Sequence, residues 1–382
     1  MSAGIYVHIP FCIKKCNYCD FLSIHYDEAL KDSYLSALQS EVRHSPFKGP
    51  ADTVFFGGGT PSLLTPGDIA GLLEVIRERF GLQDGAETTL ELNPGTVDED
   101  SLQGFLRGGI NRVSIGVQSM CERELRVLGR VHSVSDSRHC LRSVARLFRN
   151  FSLDLIYGLP GQGMEELKNT LRGVMEFNPP HISAYELSIE DGTPFYRMVR
   201  DNAVTLPGEE EIAGFYDFVA QFLSGRGYAH YEISNYALTG FECMHNMKYW
   251  MREDYLGFGA GAHSFIGGRR SRNTSDIRGY MDMVNTGGNA VVEEAALTEP
   301  DALKEEIFLR LRTRQGLKMG ALGVSSIDLI GDFERTGYLF RLDDRIYLTD
   351  KGMLVSNRIM IEIMDSLERN GLLPKSSAGG FD

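Results

Sequence analysis

Short apolar runs alternate with longer amphipathic stretches from residue 4 to about residue 190. The runs Ile5–Ile9, Thr53–Phe56, Thr88–Leu92, Arg112–Val117, Ser152–Tyr157 and His181–Leu187 predict six strands. Helical periodicity covers about 27–43, 67–80, 98–107, 121–148 and 164–176 between them, and Glu209–Leu223 predicts the helix after the sixth strand. Strands joined by helical connections imply an α/β fold with a parallel sheet. Six strands are fewer than the eight of a closed barrel, so the expectation for residues 1–235 is a partial six-stranded β/α barrel of TIM-like type.

The pattern then changes. Gly225 to about Asn273 is rich in glycine and aromatics and predicts irregular or short-stranded structure, with 236–297 as a linking region. A second pattern begins near Thr298. Pro300–Arg312 and Ser325–Thr336 predict helices, Leu339–Leu348 a hairpin turning at Asp343-Asp344, and Gly352–Leu367 a further helix. That order predicts a small winged-helix-like domain over 298–373, followed by a mobile tail, 374–382. The association of winged helices with DNA carries little weight here, because the segment lacks a dense basic run.

Composition narrows the function classes. The chain has 382 residues and a formal net charge of −13, against an extended phosphate-binding surface, so no nucleic-acid partner is expected. A local basic pocket remains compatible with that charge. No run of about 18 apolar residues predicts a membrane span. The N-terminus lacks a basic region or cleavage signature, which points to a cytoplasmic protein. Three of the six cysteines fall within eight residues, a clustering that favours a metal site over disulfides and hence a reducing compartment.

Those three form Cys12-x₃-Cys16-x₂-Cys19, directly after the first predicted strand. Thiolates on one loop can reach three corners of an iron–sulfur cubane. No fourth cysteine follows, since Asp20 and Phe21 come next, so one iron would stay open to a small molecule. The alternatives are a zinc site, closed by His8 or His25, or simply buried thiols.

From here the sequence resembles the radical S-adenosylmethionine superfamily, in the branch containing oxygen-independent coproporphyrinogen III oxidase. Tyr6-Val-His-Ile-Pro-Phe-Cys12 leads into the cluster loop. Phe56-Gly-Gly58-Gly59-Thr60-Pro61, Glu91-Leu-Asn93-Pro94-Gly95, Gly116-Val-Gln118-Ser119 and Asp154-Leu-Ile-Tyr-Gly158-Leu-Pro160 end successive strands. The resemblance implies a [4Fe–4S] cluster on Cys12, Cys16 and Cys19 and S-adenosylmethionine beside Tyr6, Phe21, Gly58, Gly59, Thr60, Glu91, Gln118, Arg130 and Asp154. The residue types fit. Glycines admit a ligand close to the backbone, Glu91, Gln118 and Asp154 accept from an ammonium or ribose hydroxyls, and Arg130 offers a carboxylate fork. Taken singly, the glycines could be a turn, Glu91 and Asp154 cap residues, and Arg130 a solvated helix charge.

Within the branch, the oxidase loop has a further cysteine where this chain has Phe21. The chain is more similar to the HemW haem chaperone group, through Leu128-Gly-Arg130-Val-His132-Ser133 and above all His245-Asn246-Met-Lys-Tyr249-Trp250. The resemblance implies haem at His245, Asn246, Tyr249 and Trp250, with Cys243 or Met244 as a second ligand and His263 as a further candidate. The bland alternative is a structural histidine among core aromatics. Cys121 and Cys140 read as ordinary thiols. The implied function is binding haem and passing it to haem-accepting proteins such as respiratory cytochromes, with enzymatic activity left open and a homodimer as one route to transfer. The rivals are the anaerobic oxidase itself and another radical transformation of a tetrapyrrole.

Overall fold

The computed structural model describes residues 2–322 and 327–374. The six predicted strands are present as β1 (Ala3–Ile9), β2 (Ala51–Gly58), β3 (Leu82–Leu92), β4 (Arg112–Gln118), β5 (Asn150–Tyr157) and β6 (His181–Glu186), all parallel and neighbours in chain order. The side chains of β1, β4 and β5 are buried on both faces over most of their length, which is why the sequence shows continuous apolar runs rather than alternation. The helices of this half are α1 (Glu28–His44), α2 (Pro66–Phe80), α3 (Glu99–Arg107), α4 (Glu122–Leu128), α5 (Val134–Leu147), α6 (Met164–Met175), α7 (Pro194–Arg200) and α8 (Glu209–Ser224). Local chemistry sets several starts. At α2, Thr65 and Asp68 form a reciprocal capping box with Pro66 in the first turn.

The stretch expected as one helix over 121–148 is two. Gly129 ends α4 in the left-handed region at φ 74°, and Ser133 restarts the chain as α5 with Asp136 in a capping box. Arg130 therefore lies in a tight corner, not on a solvated helix face.

The region expected as irregular or short-stranded is short-stranded, and its strands extend the sheet on both sides. Here β7 (Ala229–Glu232) and β8 (Asn235–Ala237) add antiparallel strands beyond β6. After α9 (Met244–Met251), β9 (Tyr255–Phe258) pairs in parallel with the other side of β1, Ile5 opposite Leu256. Then β10 (His263–Ile266), β11 (Arg269–Asn273) and, beyond α10 (Ile277–Gly287), β12 (Val291–Ala296) continue outward. Among the described residues the result is a twelve-stranded mixed sheet in which β9 and the six predicted strands run parallel. These added strands are three to six residues long, too short for their periodicity to stand out among glycines.

The C-terminal part has α11 (Glu299–Arg310), a short strand Leu317–Lys318, α12 (Ile327–Arg335) and the hairpin Leu339–Leu342 with Arg345–Leu348, a winged-helix order. The start of the helix expected at Ser325 lies outside the described residues, as does the tail beyond Pro374. The last expected helix is broken at Val355 into α13 (Asp350–Leu354) and α14 (Ser356–Arg369). Its buried apolar side chains are continuous with those of the barrel. No helix among the described residues is long and apolar enough to cross a membrane.

Candidate functional site

At the C-terminal ends of the parallel strands lies a cavity of about 390 Å³, and Cys12, Cys16 and Cys19 all line it. So do Gly58, Gly59, Thr60, Glu91, Gln118, Arg130, Asp154 and Phe21. Cys12 and Asp154, the first and last of these, are 142 residues apart in sequence, and the sheet brings them to one face, where β/α barrels carry their sites.

The two glycines are sterically required. Gly58 has φ 110° and faces the His8 ring, while a Cβ on Gly59 would come 2.7 Å from the Phe11 carbonyl oxygen. The cysteine loop is tied down by Asn17, which sequence reasoning passed over. Its backbone N–H donates to the Leu128 carbonyl (3.0 Å) and its amide to that of Val127 (2.9 Å), so the end of α4 anchors the loop. Such C-terminal helix carbonyls need external donors, and an asparagine between Cys16 and Cys19 was the available signal.

Asn93 is the second missed residue. Arg130 donates to the Cys16 sulfur (3.4 Å), to the Gly116 carbonyl (2.8 Å) and to Asn93 Oδ1. Asn93 in turn donates to Thr60 Oγ1 (2.9 Å), and the Thr60 hydroxyl points at the Cys12 sulfur (3.5 Å). Two of the three sulfurs are thus joined by one hydrogen-bonded chain. Burial pushes the Cys19 thiol up to about 11, against the Phe21 backbone N–H, and metal binding would deprotonate it. Among the described residues no three His, Cys, Asp or Glu groups converge tightly enough for a single metal ion. Cluster ligands bind different irons and stand farther apart, so the all-sulfur donor set fits an iron–sulfur cluster better than zinc.

The cavity also gathers desolvated carboxylates, Glu91 and Asp154, which accept hydrogen bonds but make no ion pair among the described residues. Burial, with Asp154 beside it, pushes Glu91 up to about 8 although the Gly58 N–H donates to it (3.2 Å). Burial also raises Asp154, opposed by Ser183, Ser114, Arg112 and Arg130. Two desolvated carboxylates sharing a cavity call for a cationic ligand, because a cation relieves both burial and mutual repulsion. Tyr6 does not line the cavity. Its ring lies behind, hydrogen-bonded to His8 (3.1 Å) and stacked towards Phe55 and His245.

The second expected cluster sits elsewhere, on α9 against the N-terminal ends of β2 and β3. His245 is 1% exposed, and both ring nitrogens are engaged, one with Thr53 Oγ1 and the other with the Tyr249 hydroxyl, each at 2.8 Å. Burial pushes its pKa down to about 3, so the ring is neutral. The buried Glu87, unremarked in the sequence, accepts from the backbone N–H groups of Met244 (3.2 Å) and His245 (3.1 Å), closing the start of α9. Cys243 is fully buried with its sulfur towards Glu87 (3.6 Å), whereas Met244 is exposed and Asn246 and Trp250 are half-buried. His263 is exposed on β10, two strands out from β1. Cys140 is buried, and Cys121 precedes α4.

Two family descriptions match the chain: Radical SAM superfamily over residues 6–174 and HemN C-terminal domain over residues 297–355. The first implies a [4Fe–4S] cluster and S-adenosylmethionine. Among solved structures, coproporphyrinogen III oxidase (HemN) from Escherichia coli, a radical SAM enzyme, is similar with a TM-score of 0.82 and 26% identity, over 95% of this chain and 90% of that one. Heme chaperone HemW of Bacillus subtilis is 34% identical over 93% of this chain and 97% of its own length. The Escherichia coli protein of that name is 41% identical over 73% and 75%, and the mitochondrial radical S-adenosyl methionine domain-containing protein 1 of Bos taurus 36% identical over 82% and 74%. Agreement along nearly the whole length makes this chain a member of the HemW family within the radical SAM superfamily.

Proposed function

We propose that this chain is a cytoplasmic haem chaperone, binding haem and passing it to haem-dependent proteins, with respiratory cytochromes as recipients. The observation that carries this reading is the His245-Asn246-x-x-Tyr249-Trp250 motif, in a chain that matches proteins named heme chaperone along more than nine-tenths of its length. Phe21 at the position of the oxidase's further cysteine supports the same branch.

In this reading Cys12, Cys16 and Cys19 hold the cluster, which when bound supplies one-electron chemistry to S-adenosylmethionine. Gly58, Gly59 and Thr60 admit the amino group, Glu91 and Asp154 balance its charge, Gln118 accepts from the ribose and Arg130 holds the carboxylate. Tyr6 backs Glu91, and the exposed Phe21 ring shields the cluster from solvent.

For haem, His245 is already in the neutral form that ligates iron, but both its nitrogens are taken. Ligation therefore requires the imidazole to give up its bond to Thr53 on β2 or to Tyr249 one turn further along α9, with Asn246, Tyr249 and Trp250 beside the ring. The same internal hydrogen bonds then compete with iron for His245 and favour release, which a carrier needs.

An anaerobic haem titration followed by absorbance tests this. His245→Ala weakens saturable binding, and Thr53→Val, which frees one ring nitrogen, tightens it. Binding indifferent to both variants would shift the reading to the radical oxidase, to be checked by mass spectrometry for porphyrinogen decarboxylation. Sedimentation of the loaded protein reads whether transfer uses a homodimer.

A further inference from the structure

At the opposite end of the barrel from the cysteine cavity lies a second, wider depression of about 810 Å³. It lies where β5 and β6 begin, since Phe151 and Pro180 line it. One wall is the end of α5 and the turn after it, carrying Arg142, Arg146 and Arg149. The other holds the half-buried rings of Phe177 and Phe241. Its size falls within the roughly 300–1,000 Å³ typical of small-molecule sites.

The charge in this groove is unlike that of the rest of the molecule. The chain carries −13 overall, yet the charged lining is three arginines against one carboxylate, Glu176, or 3 − 1 = +2. Glu176 is itself engaged by Arg138 at 2.7 Å, and Arg146 by Glu99. Arg142 and Arg149 make no ion pair or side-chain hydrogen bond among the described residues; Arg142 only lends its field to Glu176. Two free guanidinium forks thus stand beside two aromatic faces. Guanidinium binds carboxylate through paired N–H donors and also stacks on flat π systems. The Leu238–Phe241 wall then runs through Cys243 directly into α9, whose exposed Met244 follows three residues after Phe241.

We propose that this groove binds a planar aromatic dicarboxylate of porphyrin type, Arg142 and Arg149 taking its two carboxylates and Phe177 and Phe241 its flat apolar face. The proposal rests on the haem reading and deepens it, by giving the acidic edge of the ligand a basic site beside the segment that leads into α9. The net negative charge elsewhere would repel such a dianion, so the groove also directs its approach.

The experiment uses the full-length chain with three probes: haem, metal-free protoporphyrin IX and its uncharged dimethyl ester. Arg142→Ala combined with Arg149→Ala weakens haem and the free acid about tenfold, as the loss of two exposed charge pairs allows. The ester, lacking carboxylates, binds wild type and variant alike. Wild-type binding of the free acid weakens with added salt, and that dependence flattens in the variant. Both arginines are exposed, and circular dichroism checks that the variant folds. Free-acid binding of equal strength and equal salt dependence in the two proteins overturns the groove while leaving haem binding intact. Absence of saturable binding of any probe to wild type overturns the haem reading itself, and the groove with it.

Discussion

Replacing His245 by alanine is expected to destabilise the protein substantially even in the absence of haem. The imidazole is buried, packs against Phe55 with ring centroids 5.2 Å apart and meets Tyr249 edge-on at 5.1 Å. Its removal leaves a cavity beneath α9 and strands the hydroxyls of Thr53 and Tyr249. Emptying an aromatic-sized core position costs about 3–5 kcal/mol, and each orphaned buried hydroxyl about 1–3 kcal/mol more. A water entering so polar a void would satisfy both hydroxyls, which brings the expected loss to about 3–5 kcal/mol. The assay is urea unfolding of the apo-protein followed by fluorescence of Trp250, the single tryptophan of the chain, which lies on α9 itself. His245→Gln, which keeps hydrogen-bonding groups, recovers part of the loss. The pH dependence gives an independent sign. The folded pKa of about 3 lies below the ordinary histidine value of 6.5. Between those values the unfolded chain binds a proton that the folded chain refuses. Stability from this group is therefore full above pH 6.5 and drains away as the pH falls towards 3, a slope that His245→Ala lacks. An alanine variant within about 0.5 kcal/mol of wild type, the ordinary range for surface substitutions, would refute the reasoning and mean that α9 is only loosely seated.

Three further outcomes are expected. Anaerobically reconstituted protein should contain about four irons per chain and show a brown chromophore; serine at Cys12, Cys16 and Cys19 together removes both, and a retained cluster would sink the ligand assignment. Glu91, pushed up to about 8 by burial, keeps a proton in the folded apo-protein that the unfolded chain loses near 4.5. Apo-protein stability from this group is thus full below about pH 4.5 and is lost as the pH rises towards 8; thermal melts across that range should be flatter for Glu91→Gln, and an unchanged slope would count against the shift. Gly257→Ala drives a Cβ into the His263 backbone carbonyl at the start of β10, so the outer strands must shift, costing about 1–3 kcal/mol; melting at the wild-type temperature would contradict the β9–β10 packing.

The sequence by itself carried whatever has a short-range physical signature. Buried parallel strands such as Arg112–Gln118 read as apolar runs, and the cysteine spacing between residues 12 and 19 announces a soft-metal loop, whereas the helical periodicity over 121–148 runs past the cap at Ser133. Residues at the ends of those strands, among them Gly58, Glu91, Gln118 and Asp154, could be nominated as well, because the ends of consecutive parallel strands must share one face.

Tertiary structure decided what depends on partners distant in the chain. The parallel pairing of Tyr255–Phe258 with β1 spans some 250 residues and has no local mark in a four-residue strand. Arg130 could be a surface charge until the break at Gly129 turns it onto Cys16 and Asn93. Glu87 looks like any strand-end carboxylate until its oxygens are found closing the start of α9. His245 shows the division most sharply. Its motif is plain in sequence, but whether an imidazole nitrogen is free depends on Thr53, 192 residues away. Hydrogen-bond satisfaction of a buried group is a property of the assembled neighbourhood, and no sequence window contains that neighbourhood.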